Sequence, residues 1–191
     1  SLAYDSRDDF LNPARGHFLS QTIEYGDGFL GSDVRYARSY SQASLYARLA
    51  PGLLFASGAR LGLGFGFGPP LPPELRFFAG GSTTVRGYGF HELGPRDPTT
   101  GLAAGGDGLL VLNEELRFPI YKILGGAVFL DLGNVYRSVK DLRPWSLRSG
   151  AGFGLRLSLG ALVGRFDMGF KLAPRPGESR SAIYFSIGQM F

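Results

Sequence analysis

Apolar and polar positions alternate with a period of two along most of this chain, and helical periodicity is nearly absent. Across residues 53–67 one face carries Leu53, Phe55, Ser57, Ala59, Leu61, Leu63, Phe65 and Phe67. The opposite face carries Leu54, Ala56, Gly58, Arg60, Gly62, Gly64 and Gly66. Residues 150–159 repeat the device, with Ala151, Phe153, Leu155, Leu157 and Leu159 opposite Gly150, Gly152, Gly154, Arg156 and Ser158. Residues 161–172 do so again, Leu162, Gly164, Phe166, Met168, Phe170 and Leu172 alternating with Val163, Arg165, Asp167, Gly169 and Lys171. A pleated strand sends successive side chains to opposite sides, so each segment has one apolar wall and one wall of glycine and isolated charge.

The pattern predicts strands over residues 2–9, 16–26, 34–48, 53–67, 108–118, 124–136, 147–159, 161–172 and 181–191. Turn signals separate them at residues 12–16, 26–28, 50–52, Pro119, 159–160 and 174–177. Short connections alternate with longer ones, and no domain boundary is visible, so residues 1–191 read as a single barrel domain. The connection at about 68–106 is far longer than a compact domain ordinarily contains. Within it runs FFAGGSTTVRGYGF, residues 77–90, a glycine-rich stretch with one arginine, Arg86. Its aromatic and β-branched content argues against disorder.

A soluble sandwich would turn a varied wall of Lys, Glu, Thr and Ser to water. A wall of glycine with isolated Arg, Asp and Lys fits instead a barrel with lipid outside and a wet, crowded lumen. Strands of about 10 to 13 residues exceed the five or six usual in soluble sheets and approach the length that spans a bilayer when tilted. No uncharged apolar run approaches the roughly 18 residues that a spanning helix requires. The expected fold is therefore all-β, an antiparallel transmembrane β-barrel.

Composition sharpens this in a few places. Thirty glycines stand beside 14% aromatic residues, a combination suited to close-packed strands with aromatic girdles. Zero cysteines exclude a disulfide framework and thiolate metal sites. The two histidines, His17 and His91, are far apart, and no paired carboxylates or nucleophile–base spacing is visible, so neither enzyme, metal nor cofactor is expected. The net charge of +4 is scattered rather than blocked, which reads as solvated surface and not as a nucleic-acid interface. The alternating glycines of residues 62–66 precede no helix and are no phosphate loop. No cationic segment followed by an apolar one opens the chain, so an exported protein would be represented here in processed or truncated form.

The run GGSTTVRGYGF resembles the sixth extracellular loop of the outer-membrane assembly and translocation barrels, the surface-antigen superfamily of BamA/TamA type. Four further stretches agree in order. Tyr4-Asp5-Ser6-Arg7-Asp8, followed by Asn12-Pro13 and Gly16, resembles that family's D-T/S-R-D…P-x-x-G strand and turn. Glu115-Leu116-Arg117-Phe118-Pro119 resembles its E-L-R-F/Y-P strand, and Phe129-Leu130-Asp131-Leu132-Gly133-Asn134-Val135 its F-x-D-x-G-x-V/W strand. Residues 185–191 resemble the closing strand that ends in an aromatic residue, here Phe191. Coverage is essentially complete, with the closest resemblance to the TamA type.

The resemblance implies a sixteen-strand barrel in which Val85, Arg86, Gly87 and Tyr88 form the tip of a loop folded into the lumen. It implies that Arg86 pairs with Asp131 and lies near Glu115. The alternation agrees that both acids can face inward: Asn113, Glu115 and Arg117 lie opposite Leu110, Leu112, Leu116 and Phe118, and Asp131 lies with Phe129 and Gly133, opposite Val128, Leu130 and Leu132. Glu114 falls on the lipid face, where a place near the rim is expected. Phe185, Ile187, Gly188 and Phe191 are expected to form a recognition signal and weakly closed seam, Gly188 weakening the last strand.

The implied function is insertion or translocation of client outer-membrane or secreted β-proteins, in a bacterial-type outer membrane. The rival expectation is a structural or pore-forming barrel without assembly activity, or the membrane part of a fused exporter or lipase. About eight or nine strands make half of the implied barrel. Either further strands and periplasmic domains precede this chain, or two copies share one barrel, or the first segment is not a strand.

Overall fold

The computed structural model describes residues 1–160 and 162–190. They form one nine-stranded antiparallel sheet in which every strand pairs with its neighbours in sequence. The strands are β1 Leu2–Asp5, β2 Gly16–Gly26, β3 Tyr36–Ala50, β4 Leu53–Gly66, β5 Gly108–Tyr121, β6 Leu124–Tyr136, β7 Arg148–Leu159, β8 Leu162–Lys171 and β9 Ser181–Ile187. One end of the sheet carries the β3–β4, β5–β6 and β7–β8 turns, and the other carries the long loops. β1 and β9 are the two edges.

The alternation decides which wall faces which way. Phe153, Leu155, Leu157, Leu159, Ile183, Phe185 and Ile187 point outward and are exposed, whereas Arg156, Val163, Arg165, Asp167 and Lys171 are buried on the inner wall. The sheet curls around its own long loop. A cluster of Phe77, Ala79, Val85, Tyr88 and Leu93 from the loop packs on Leu109, Val111 and Val135 of the wall. Residues 188–190 bend the same way: the Arg60 Nη2 donates to the Met190 carbonyl at 3.3 Å, and the Gln189 amide donates to Asn12 Oδ1 at 2.9 Å.

Several boundaries differ from the sequence expectation, each for a local reason. β1 stops at Asp5 rather than residue 9, because Asp8 accepts from the Ala14 and Arg15 amides and Asp9 from those of Leu11 and Asn12. These side chains draw the backbone into a turn in place of the ladder. β5 runs through Pro119 to Tyr121, Pro119 opposing Gly125 beside a register shift, the setting in which a strand tolerates proline. β9 ends at Ile187 instead of 191. Gly188 is therefore outside the strand: it takes a left-handed φ of 94° and donates to the Val163 carbonyl, turning the chain. The expected starts at residue 161 and end at Phe191 lie outside the described residues. Glu114 is not at the rim. It sits in mid-strand opposite Ser57 and Leu130, and Ser57 Oγ donates to it at 3.0 Å.

Candidate functional site

The loop between β4 and β5 makes isolated bridges with itself, Phe77 with Gly106, Ala79 with Leu93 and Arg96 with Ala103. These hold its base as a narrow ribbon, and the tip at residues 82–88 enters the lumen. Val85 and Arg86 are both 0% exposed there. The inner wall is shaped for this approach. A Cβ added at Gly150 would fall on the Arg86 carbonyl, and one added at Gly169 would fall on the Gly87 nitrogen. Glycine on the inner faces of β7 and β8 thus lets two backbones meet where any side chain would intervene.

Arg86 is held from several sides. Its Nε and Nη2 form a fork on Asp131, at 2.7 and 3.0 Å, while its own backbone N–H donates to Asp131 Oδ2 at 2.9 Å. Nη1 donates to Glu115 Oε2 at 2.6 Å and stands 3.5 Å from Asp167 Oδ2. The guanidinium carbon lies 3.5 Å from the centroid of the Phe129 ring. Two carboxylates on adjacent strands, an aromatic face and a third carboxylate define both its position and its plane. Such a fork supplies geometry as well as energy. Asn113, opposite Asp131 in register, ties the pair to the loop by donating to Asp131 at 2.9 Å and to the Thr84 carbonyl at 2.6 Å.

The network extends past the residues that the sequence singled out. Arg156 donates to Asp167 at 2.6 Å and to Glu115 at 3.0 Å, and Arg117 donates to Glu115 at 2.7 Å. Arg165 approaches Asp167 at 3.1 Å and reaches the Ser82 carbonyl at 2.8 Å. Arg156, Arg165 and Asp167 all lie on the glycine-and-charge faces visible in the alternation, so the pattern carried the signal. Tyr184 had no such flag. From β9 its hydroxyl donates to the Tyr88 carbonyl at 2.6 Å and accepts from the Gly87 N–H at 2.9 Å, joining the loop tip to the last strand.

At the loop end, Lys171 Nζ pairs with Glu92 Oε1 at 2.5 Å, and Arg148 with Glu178 at 2.7 Å. Burial would raise the Glu178 carboxyl, but the hydrogen bonds from Arg148 and the Arg175 amide, with the charges of Arg148 and Lys171, carry it down to about 2. Of the four edge residues, Phe185 and Ile187 face outward on β9, 83% and 79% exposed. Gly188 lies just beyond the strand, and Phe191 lies outside the described residues. Among the described residues no cluster of three or more His, Asp and Glu side chains is arranged to hold a metal ion.

Comparison with known proteins agrees with this architecture. The chain is 31% identical over 194 residues to the outer membrane protein assembly factor BamA of Nitratidesulfovibrio vulgaris, covering 98% of this chain and 24% of that protein. A SAM50-like protein of Schizosaccharomyces pombe is 30% identical over 64% of the chain and 27% of its own length. The chloroplastic outer envelope protein 39 of Arabidopsis thaliana is 27% identical over 90% of the chain and 44% of its own. The chain thus spans less than half the length of these relatives. In fold it is similar to the crystal structure of BamA from Haemophilus ducreyi lacking POTRA domains 1-3, with a TM-score of 0.73 at 20% identity, over 97% of this chain and 41% of that one. The nine strands correspond to the C-terminal half of such a barrel. The Omp85 superfamily domain matches residues 1–191 throughout, and the chain belongs to the Omp85 superfamily.

Proposed function

We propose that this chain is the membrane-embedded part of a bacterial-type outer-membrane protein that inserts or translocates client β-proteins. The observation that carries this reading is the contrast between lumen and edge. The lumen is occupied by a loop tip whose Val85 and Arg86 are fully buried and whose arginine is fixed by Asp131 and Glu115. The last strand β9 has seven described residues and presents an outward row of Ile183, Phe185 and Ile187. A strand at a sheet edge that opens offers its N–H and C=O groups to an incoming strand. In this reading the docked loop braces the wall from inside, through Arg86 to β5 and β6 and through Tyr184 to β9, while the edge templates the client.

The family relationship to assembly factors supports the same reading, as does the alternation of a lipid-facing and a lumen-facing wall. A plain pore is disfavoured by a lumen filled with buried, ion-paired side chains. The chain has no native cysteine, so single cysteines at Ile183, Phe185 and Ile187 can be crosslinked to a cysteine-bearing client strand without background. Adducts that follow the alternating register of β9 are expected. Their absence at every position, in a protein that still inserts clients, would remove the edge from the mechanism.

A further inference from the structure

The outward face of β6 ends beneath a loop. Val128 and Leu130 are exposed, whereas Phe129, Asp131 and Val135 are buried on the lumen side. The outer row therefore continues through Leu132 and Asn134 to Tyr136. Tyr136 is nevertheless only 6% exposed. The β6–β7 loop covers it from outside. The Tyr136 hydroxyl donates to the Arg143 carbonyl at 2.8 Å and accepts from Ser146 Oγ at 3.3 Å, and the Asn134 amide donates to the Ser146 carbonyl at 3.0 Å. Residues 143–146 thus lie on the outer wall of the sheet, at its loop end.

The segment is locally fixed. Val139–Asp141 and Pro144–Ser146 are single turns of 3-10 helix. The second is closed by the Ser146 N–H and hydroxyl, both donating to the Arg143 carbonyl at 3.0 Å, with Pro144 restricting its entry. This turn presents Trp145, the one tryptophan of the chain, 82% exposed. Lys140 and Arg143 flank it; both are exposed, and neither is salt-bridged among the described residues. Asp141, between them in sequence, lines instead the cleft of Glu92, Arg137 and Arg148 at the mouth of the lumen. The register joins Leu63, Gly108 and Tyr136 at one level, so the exposed Phe65 and Phe67 on the outward row of β4 lie just beyond it, toward the loops. An indole unsupported in water is at home at a membrane–water boundary, where its ring meets the acyl edge and its N–H stays hydrated.

We infer that residues 140–146 are a foot that docks on the anionic headgroup layer of the leaflet at the loop end of the barrel, with Trp145 seated among the headgroups and Lys140 and Arg143 meeting their phosphates. Basic side chains held near an anionic surface are drawn to it, and the indole beside them fixes the depth. Because the foot is bonded to Asn134 and Tyr136, it sets the height in the bilayer of β6, the strand that carries Asp131. The inference rests on the strands spanning a membrane and is independent of client insertion.

The test is fluorescence of the full chain in phosphatidylcholine vesicles with and without phosphatidylglycerol, where the single indole reports on the foot alone. The expected emission lies to the blue of the urea-unfolded chain and is quenched more by a spin label near the headgroup than by one at the acyl terminus. Phosphatidylglycerol should increase protection from acrylamide. Lys140→Gln combined with Arg143→Gln, both on the surface, should abolish that increase. A fluorophore on Leu155→Cys, in the outward row of β7, serves as the control and should be quenched by the deep label. Trp145 in water while this control is quenched overturns the foot alone; both in water overturn the membrane reading with it. Stronger quenching of Trp145 by the deep label, or a phosphatidylglycerol effect unchanged in the double variant, overturns the headgroup contact.

Discussion

Replacing Arg86 by alanine separates the docking of the loop from the integrity of the strands. The substitution leaves Glu115 with Arg117 and Arg156, so that carboxylate keeps its compensation. Asp131 keeps only the Asn113 amide and the backbone N–H of residue 86, a fully buried carboxylate without its cation. Removing one partner of a buried ion pair costs about 3–5 kcal/mol, chiefly through the charge left behind. At about 1.4 kcal/mol per decade, the equilibrium for releasing the loop tip should rise by roughly two to three and a half orders of magnitude. The strand ladders do not depend on Arg86, so the sheet should persist.

Amide hydrogen exchange across residues 82–88 reads this directly, with β6 amides as the internal reference. The expected result is exchange at the tip faster by at least about a hundredfold, with little change in the strands. A second comparison isolates the ion pair. Arg86→Ala combined with Asp131→Asn removes both charges and should be less perturbed than Arg86→Ala alone, since the buried carboxylate is then neutral. Arg86→Lys retains charge but not the fork, and should fall between wild type and alanine. Tip exchange accelerated by less than about tenfold in Arg86→Ala would refute the view that this pair holds the loop in the lumen.

Further expectations follow from the same geometry. Gly150→Ala puts a Cβ on the Arg86 carbonyl and should release the tip much as Arg86→Ala does, whereas Gly28→Ala, whose Cβ meets nothing within 4 Å, should stay within about 0.5 kcal/mol of wild type by urea titration. Tyr184→Phe leaves the Gly87 N–H and Tyr88 carbonyl without their partner and should destabilise tip docking by about 1–3 kcal/mol, read by exchange at those amides. Glu178 has a folded pKa of about 2, below its ordinary 4.5, so its contribution is fully present above about 4.5 and is lost as pH falls toward 2. Unfolding titrations between pH 5 and 2 should therefore show a decline that is shallower in Glu178→Gln.

The alternation alone determined the all-β class, the antiparallel order and the two-walled character of the strands, because the pleat converts a period of two directly into inside and outside. It placed Glu115, Asp131, Arg156, Arg165 and Asp167 on the inner wall for the same reason. Strand ends were less legible: Asp8 and Asp9 capture backbone amides that a ladder would otherwise use, and Pro119 falls at a bulge where its missing N–H is tolerated. Only the tertiary structure decided which inward groups meet. Glycine at positions 150 and 169 reads in the sequence as a small wall residue, and becomes the seat of a loop backbone once the sheet curls around residues 82–88. Tyr184, nearly a hundred residues from Tyr88, looks like any strand tyrosine until that curl brings β9 to the loop tip. Local periodicity fixes the face a side chain occupies; its partner depends on the curvature of the sheet and the path of a long loop, which no short window of sequence contains.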